Sequence, residues 1–238
     1  MNPFWGVLCL SLTCWGIPTG YGQHLSKNII LYPQGDSMDS HSLIIIRAWG
    51  SDMKYLQSLV EGKETIYLQS GFMKLPLLPE QFHQGAYRTN EIILKPEFFP
   101  QTGIRYILHA DSAIDGESGP HSWVIKQHDI HSAAPVISGK PRLFRSAHGE
   151  VICQVSVSGK GPFFASIILQ DTRFLGLHKR YHKFLLPLDH GRALLSGGGR
   201  GSAYAILPSR NYLMSISVMD MDGQLSAEKS VQFNVLKP

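Results

Sequence analysis

The sequence predicts an all-β protein of two consecutive β-sandwich domains, with one short helix in the first domain. Short runs of four to eight residues, rich in Ile, Val, Tyr and Trp, alternate with turn residues along most of the 238-residue chain. Regular short strands of this kind are typical of sandwiches and barrels. Only one segment has a helical pattern, and helices long enough to connect parallel strands are absent from the sequence, which excludes doubly wound α/β folds.

The first element, residues 1–22, has the composition of a cleaved signal peptide. Its apolar run, residues 4–15, is shorter than the roughly 20 apolar residues of a membrane-spanning helix. Small residues just before Gln23 suit a cleavage site. We therefore expect an exported protein, in the periplasm, on the cell surface or secreted, that is not transmembrane once the leader is removed. Lipid attachment at Cys14, an uncleaved anchor and a buried N-terminal segment are the alternatives.

Six strands and the helix are predicted for the first domain, residues 23–131. The strands are 29–32, 42–49, 64–69, 91–95, 104–109 and 122–128. The helix is predicted over residues 52–60 and ends before Gly62, because four apolar side chains would share one face: Tyr55, Leu56, Leu59 and Val60. Pro76 and Pro79 are interpreted as breaks between strands.

A linker is predicted at residues 132–141, which contain two prolines, a glycine and little periodicity. It would divide the first domain from a second one, residues 142–238. Seven strands are predicted there: 142–145, 151–158, 164–170, 182–188, 202–207, 212–221 and 230–236. The basic run at 178–183 is expected on an edge strand, where lysines block unwanted strand pairing. A patch that binds an anionic glycan or a lipid headgroup is the alternative.

Charge and cysteine content narrow the function classes. The formal net charge is +4 with scattered positive residues, so we do not expect nucleic acid as a partner of an exported chain. Once the leader is removed, Cys153 is the one remaining cysteine, which excludes a disulfide within the chain. Because Cys153 alternates with apolar residues along a predicted strand, we expect a small buried hydrophobe rather than a reactive thiol.

Two segments resemble known modules. In the first, Pro33 centres a turn before a strand at 42–47, and a later strand ends in Pro96 ahead of Gly103 and a strand containing Tyr106. Over residues 28–130 this pattern resembles the bacterial immunoglobulin (Ig)-like domain of surface-layer and other exported proteins. The resemblance implies a spacer or binding role, without catalytic residues to carry over.

The second resemblance lies at the C-terminal end. There Tyr212 opens a strand that leads into a turn at 220–223 and a final strand at 230–235. This pattern is similar to fibronectin type III and Ig-like modules, and the resemblance implies that Tyr212 is a corner tyrosine with a packed ring.

Metal ligands and cofactors are not expected, although four residues are candidates. His128 and His131 have a His-x-x-His spacing beside the linker, and a turn there could gather them. Asp220 and Asp222 lie in a turn similar to a calcium loop, but the glutamate at position 12 of such a loop is missing. We expect scattered surface histidines and an ordinary turn. Binding of Ca²⁺ or a transition metal ion at these residues is the alternative.

The leading functional hypothesis is a non-catalytic structural or adhesion-type module that binds a protein or an envelope component through loops or an exposed edge. It predicts a large apolar surface patch. The alternative is an accessory glycan-binding protein, which predicts exposed aromatics among Trp49, Phe98, Phe99 and Trp123. The third hypothesis is a hydrolase, which predicts a deep pocket at the domain junction with converging catalytic groups, although no Gly-x-Ser-x-Gly motif occurs.

Overall fold

The computed structural model describes residues 29–84, 89–110, 121–128, 133–146, 150–171, 181–196 and 211–234. Within these ranges the regular structure is β-strand, apart from one short α-helix and the 3-10 turn before it. The predicted all-β class with one short helix is therefore confirmed. The predicted leader and the predicted strand at 202–207 lie outside the described residues.

The first half of the chain forms two layers of strands. In chain order its elements are β1 (Ile29–Tyr32), β2 (Ser37–Asp39), β3 (Ile44–Trp49), α1 (Met53–Val60), β4 (Ile66–Ser70), β5 (Met73–Gln84), β6 (Thr89–Pro96), β7 (Arg105–Ala110) and β8 (Ser122–Lys126). The strand order is β1-β3-β6-β5-β4-β7-β8-β2. Long β5 belongs to both layers, because its first residues pair with β4 and its last residues pair with β6.

This order is that of an Ig-like sandwich. Strands β1, β3, β6 and β5 correspond to A, B, E and D of one Ig sheet, and β4, β7 and β8 correspond to C, F and G of the other. The small strand β2 adds to the second layer by parallel pairing with β8. The buried side chains of both layers meet in one apolar core, which includes Ile44, Ile46, Leu68, Ile92, Leu94, Tyr106, Leu108 and Trp123.

The two prolines that were predicted to separate strands lie inside β5. Pro76 pairs with Tyr67 of β4, and Pro79 pairs with Leu94 of β6, next to a break in register before Gln81. Proline has no N–H to donate, so within sheets it is tolerated at edges and bulges. The prolines therefore mark where β5 passes from one layer to the other, and they do not end the strand.

Helix α1 ends as predicted. Gly62 adopts a positive φ of 69°. Its N–H donates to the Leu59 carbonyl at 3.2 Å, and the Lys63 N–H donates to the Ser58 carbonyl at 2.9 Å, which together form a Schellman motif. Leu56 and Leu59 are buried as expected. The expectation for Val60 was wrong, since its side chain is 44% exposed.

The described residues of the second half of the chain form a sandwich of three strands on four. Its strands are β9 (Val136–Arg145), β10 (Val151–Ser158), β11 (Phe163–Asp171), β12 (Tyr181–Leu188), β13 (Arg192–Ser196), β14 (Asn211–Met219) and β15 (Lys229–Asn234). One sheet has the order β13-β10-β9 and the other β12-β11-β14-β15. Seven strands in two antiparallel sheets are the architecture shared by fibronectin type III and other Ig-like modules.

The inner faces of these two sheets enclose a second core. Cys153 lies fully buried in it, and burial raises the pKa of its thiol to about 12, which confirms the predicted small buried hydrophobe. Tyr212 is buried near the start of β14, and its ring stacks on Phe233 with 5.7 Å between centroids. The packed ring agrees with the corner-tyrosine resemblance.

The predicted linker overlaps β9, which begins at Val136. Ser138 pairs with Ser156 and Arg142 pairs with Gln154, so three residues of β9 lie opposite the single residue Val155. Gly139, the first of the three, has a positive φ of 73°. Gly139 and Pro141 of the predicted linker therefore lie in a bulge within a strand. Residues 136–141 are part of β9 and are not a linker in the structure.

A third apolar cluster joins the two sandwiches. It consists of Leu43, Ile45, Ile93, Phe164, Leu185, Met219 and Met221. The Leu43 N–H also donates to the Met221 carbonyl at 2.6 Å. Ile45 and Ile93 are cross-strand partners on the outer face of β3 and β6. This outer face is thus covered by the second sandwich instead of by water.

None of the helices in the described ranges has the length and apolar character that a membrane span needs.

Candidate functional site

A polar cluster of three side chains lies beside the apolar junction. It consists of Asp39, His128 and Asp222, and we call it the junction triad. One carboxylate oxygen of each aspartate and one ring nitrogen of the histidine all lie within 4.8 Å of one another. The side chains are largely withdrawn from solvent, with exposures of 19% for Asp39, 16% for His128 and 13% for Asp222.

Strand pairing brings two members of the triad together. The parallel pair β2–β8 places Asp39 opposite Lys126, two residues before His128. The chain is held there by a further hydrogen bond, from the Ser40 N–H to the Lys126 carbonyl at 3.0 Å. Asp39 and His128 therefore leave the same edge of the first sandwich.

The third member comes from the turn between β14 and β15. The Asp220 carboxylate accepts the N–H of Asp222 at 3.0 Å and that of Gln224 at 2.8 Å. This bonding fixes the turn and directs Asp222 toward the first sandwich. Gly223 packs so closely on Leu43 that an added Cβ would lie 3.0 Å from its Cδ1. The turn and the apolar junction thus position each other.

The junction triad combines attraction between unlike charges with repulsion between its carboxylates. His128 Nδ1 lies 3.6 Å from Asp222 Oδ2, and Lys160 Nζ lies 3.2 Å from Asp39 Oδ2. Burial raises the pKa of Asp222, and the neighbouring carboxylates Asp220 and Asp39 raise it further, whereas His128 and Lys160 lower it. Two carboxylates are therefore held close together and partly out of water.

A row of three tilted aromatic rings extends from the triad to the surface. The His41 ring lies 4.1 Å from the His128 ring and 4.0 Å from the Phe99 ring, centroid to centroid. Phe99 is 62% exposed. The His41 ring contacts the His128 ring from one side, so the orientation of the His128 ring is not set by the aspartates alone.

The predicted metal candidates have different outcomes. The structure brings His128 and Asp222 together, but with Asp39, which was not predicted. Asp220 is 3% exposed and its carboxylate is engaged in the turn, so it is not a member of the cluster. His131 lies outside the described residues. Asp39 has no local sequence signal, because its role depends on parallel pairing with a strand some 85 positions later.

A second surface feature lies on the outer face of the three-stranded sheet. Ile152 of β10 pairs with Phe144 of β9 on one side and with Leu194 of β13 on the other. Phe144 is 39% exposed and Leu194 is 47% exposed. Directly opposed residues in antiparallel strands have Cβ atoms about 5 Å apart. These three side chains therefore form a continuous apolar row across the sheet.

An arginine-containing row runs beside the apolar row. Gln154 pairs with Arg142 and with Arg192 in the same two strands, and all three side chains are exposed. We call the two rows together the outer-face patch: Phe144, Ile152, Leu194, Arg142, Gln154 and Arg192. It combines exposed apolar surface with two positive charges.

The aromatic residues named for a glycan platform do not lie together on one surface. Trp123 is 1% exposed and its indole N–H donates to the Pro33 carbonyl at 3.0 Å, so it is a core residue. Trp49 is half-buried. Phe98 is 67% exposed and Phe99 62% exposed, both in the loop after β6. The glycan hypothesis therefore rests on this phenylalanine pair.

A groove of about 490 Å³ opens in the second sandwich, not at the junction. Residues from β10 and from the turns next to β11 and β13 line it, and His190 is the one titratable side chain among them. That side chain is 93% exposed. The groove therefore lacks the converging acid, base and nucleophile that the hydrolase hypothesis predicts.

No protein-family model matches the chain, and no curated protein is similar to it in sequence. Several solved structures are similar in architecture. The tandem Ig repeats of Dlar are 14% identical, with 88% of this chain and 96% of that chain covered and a TM-score of 0.27. Fibronectin(III)-like modules of Clostridium thermocellum CbhA are 10% identical, with 87% and 94% covered and a TM-score of 0.24. A cytokine receptor complex is 11% identical, with 88% and 97% covered and a TM-score of 0.28. At these values nothing about function follows, and the fold is assigned from the strand order.

Proposed function

We propose that this protein is a non-catalytic, exported pair of Ig-like modules that binds a protein partner through the outer-face patch. The apolar row Phe144–Ile152–Leu194 is the observation that carries the proposal. The export follows from the predicted leader at residues 1–22. The described start of β9 at Val136 supports a second module that begins there, ahead of the predicted boundary at residue 142.

The core of the second sandwich does not include the apolar row. A sheet in a two-layer sandwich needs one apolar face, which packs on the core, and the other face is ordinarily polar. Here the inward neighbours Leu143, Cys153 and Ala193 already supply that face. Exposed apolar side chains gathered in one row, in contrast to singly scattered ones, are typical of interaction surfaces.

The flanking charges indicate the chemistry of the partner. Arginine is enriched at protein interfaces, because its planar guanidinium binds carboxylates with two hydrogen bonds and also packs on apolar groups. Arg142 and Arg192 border the row at both edges of the sheet. The complementary surface would be an apolar patch or strand rimmed by Asp or Glu side chains.

The proposal is tested by photocrosslinking in the source cells. A benzophenone amino acid replaces Phe144 in one strain and Gln232 in the other, because Gln232 is an exposed residue on the opposite sheet. We expect one discrete protein adduct from position 144, none from position 232, and loss of the first adduct when Leu194→Asp is added. Equal adducts from both positions, or an adduct unaffected by Leu194→Asp, would contradict the proposal.

A second candidate function, glycan binding, is favoured by the exposed pair Phe98 and Phe99. Aromatic side chains in such loops can pack on sugar rings. Sedimentation of the protein with isolated envelope polysaccharide tests it, with Phe98→Ala and Phe99→Ala combined in one variant. Sedimentation that is unchanged in this double variant would remove the glycan hypothesis.

A further inference from the structure

We propose that the junction triad, Asp39, His128 and Asp222, binds one divalent transition-metal ion, with Zn²⁺ as the best fit, and that this ion ties the two sandwiches together. The proposal does not depend on the outer-face patch. It rests on the geometry of the three donor atoms, on the unpaired state of one of them and on the chemistry of the donor set.

The spacing of the donor atoms suits an ion better than a hydrogen bond. His128 Nδ1 and Asp222 Oδ2 are 3.6 Å apart, which exceeds the usual 2.7–3.2 Å of an N–H···O hydrogen bond. Two ligands that each lie about 2.1 Å from one tetrahedral ion are roughly 3.4 Å apart. The third donor, from Asp39, is within 4.8 Å of both, so a small side-chain rotation brings it into range.

His128 Nδ1 has no other partner to satisfy it. The atom is enclosed by protein and has no hydrogen-bond partner among the described residues. Buried polar atoms are nearly always paired, and an unpaired one calls for an explanation such as a missing ion. An imidazole nitrogen that lies beside carboxylates is a suitable ligand for a divalent cation.

The donor set selects the class of metal. Two carboxylates and one imidazole bring two negative charges, which match a divalent cation. Ca²⁺ and Mg²⁺ prefer all-oxygen sites, whereas imidazole suits Zn²⁺ and neighbouring transition metals. Lys160 contacts one oxygen of Asp39, and the carboxylate has a second oxygen to offer. Solvent would complete the coordination, since the cluster is partly exposed.

The triad spans the junction, which gives the ion a structural role. Asp39 and His128 belong to the first sandwich and Asp222 to the second, next to the hydrogen bond between Leu43 and Met221. An ion bound here would stabilise the assembled pair over the separated one by mass action. At a Zn²⁺ concentration 100 times its Kd, this corresponds to a rise in Tm of roughly 5–10 °C.

The test is metal titration of the mature chain after treatment with a chelator. Isothermal titration calorimetry with Zn²⁺ is expected to give one site per chain, and Mn²⁺ to bind more weakly, with Ca²⁺ and Mg²⁺ weaker still. The Co²⁺ complex should show the visible absorption of a nitrogen- and oxygen-liganded site. His128→Gln and, separately, Asp222→Asn should each weaken Zn²⁺ binding at least tenfold.

The chain supplies a matched control. His190 and Asp189 also form a histidine–aspartate pair with 3.6 Å between their atoms, but these side chains are 93% and 91% exposed. His190→Gln should leave Zn²⁺ binding and its effect on Tm unchanged. Asp39→Asn provides a third triad variant should one of the others fail to give a native far-UV circular dichroism spectrum.

Two results would overturn the proposal. One is the absence of a one-to-one Zn²⁺ site in the wild-type chain at micromolar concentrations, which would leave the junction triad as a polar cluster without a metal. The other is Zn²⁺ binding that survives unchanged in the triad variants, which would place the metal elsewhere; its loss in His190→Gln would then place it at the exposed pair.

Discussion

At the scale of single residues, the most unusual group outside the junction is Glu91. It lies in the first sandwich at 2% exposure. Its Oε1 accepts a hydrogen bond from Thr89 Oγ1 at 3.0 Å and lies 3.2 Å from Arg47 Nε, while Oε2 has no hydrogen-bond partner among the described residues. Burial raises the pKa of Glu91 from 4.5 to about 7, although Arg47 and the Thr89 hydrogen bond lower it. Burial therefore destabilises the charged form of Glu91 by more than Arg47 and Thr89 stabilise it.

This raised pKa makes stability depend on pH. Between pH 4.5 and 7 the folded chain binds a proton that the unfolded chain has released, so the free energy of unfolding falls as pH rises through this window and levels off above it. Glu91→Gln removes the titration. Wild type should lose about 2–3 kcal/mol more stability than Glu91→Gln between pH 5 and pH 8, as measured by urea unfolding. Equal pH slopes in the two proteins would show that Glu91 is already ionised in the fold.

At the scale of elements, glycine positions show where strands approach each other closely. Gly191, in the turn before β13, accepts the Val155 N–H at 2.9 Å and has a φ of 74°, and a Cβ there would overlap the Val155 carbonyl oxygen. Gly139, in the β9 bulge, has nearly the same φ of 73° but open space around its Cα. The two glycines differ mainly in this contact.

Substitution of each glycine by alanine separates backbone strain from close contact. Gly139→Ala should cost about 1 kcal/mol, which is the cost of a non-glycine residue at positive φ. Gly191→Ala should cost at least about 2 kcal/mol more, because β13 must also move away from β10. Urea unfolding measures both values. A similar loss for the two variants would mean that the turn before β13 can shift without cost.

How far the elements could be predicted depends on what ends them. Strands such as β10 and β11 are bounded by ordinary turns and have clear alternation, so their ranges were predicted closely. The predictions failed for β5 and β9, where Pro and Gly lie inside strands. Judged from the local sequence alone, Pro and Gly indicate the end of a strand. A neighbouring strand can nevertheless hold them at a bulge or at a change of layer. That partner is distant in sequence, so local patterns do not reveal it.

The candidate sites were predictable to a smaller degree. His128 and Asp222 were recognisable by residue type and by their positions near turns, but which residues would join them depends on the pairing of β2 with β8 and on the contact between sandwiches. The outer-face patch had a local signal, because Phe144, Ile152 and Leu194 are apolar residues at outward positions. That signal becomes visible only when the register of three strands is known.

At the scale of the whole molecule, two continuous apolar runs in the sequence mark the junction. The runs Leu43-Ile44-Ile45-Ile46 and Ile92-Ile93-Leu94 do not alternate with polar residues, and continuous apolar runs are typical of strands buried on both faces. In the structure Ile44 and Ile46 face the first core, while Ile45 faces the second sandwich. Such runs in an antiparallel sandwich thus predict that something covers the outer face.

The junction should couple the unfolding of the two sandwiches. Ile93→Ser removes a side chain that is 1% exposed and should cost about 2–4 kcal/mol at the interface, so that one calorimetric transition becomes two. Leu78→Ser, at a side chain that is 49% exposed in β5, is the matched control and should leave a single transition. A single transition in Ile93→Ser would show that the sandwiches do not depend on this contact.

The covered face of β3 and β6 also limits how this protein can be divided or rearranged. A fragment that ended before β9 would expose the apolar side chains of Leu43, Ile45 and Ile93 to water. Such an exposed apolar surface favours aggregation of the fragment. We therefore expect the two modules to fold well only when they are expressed as one unit.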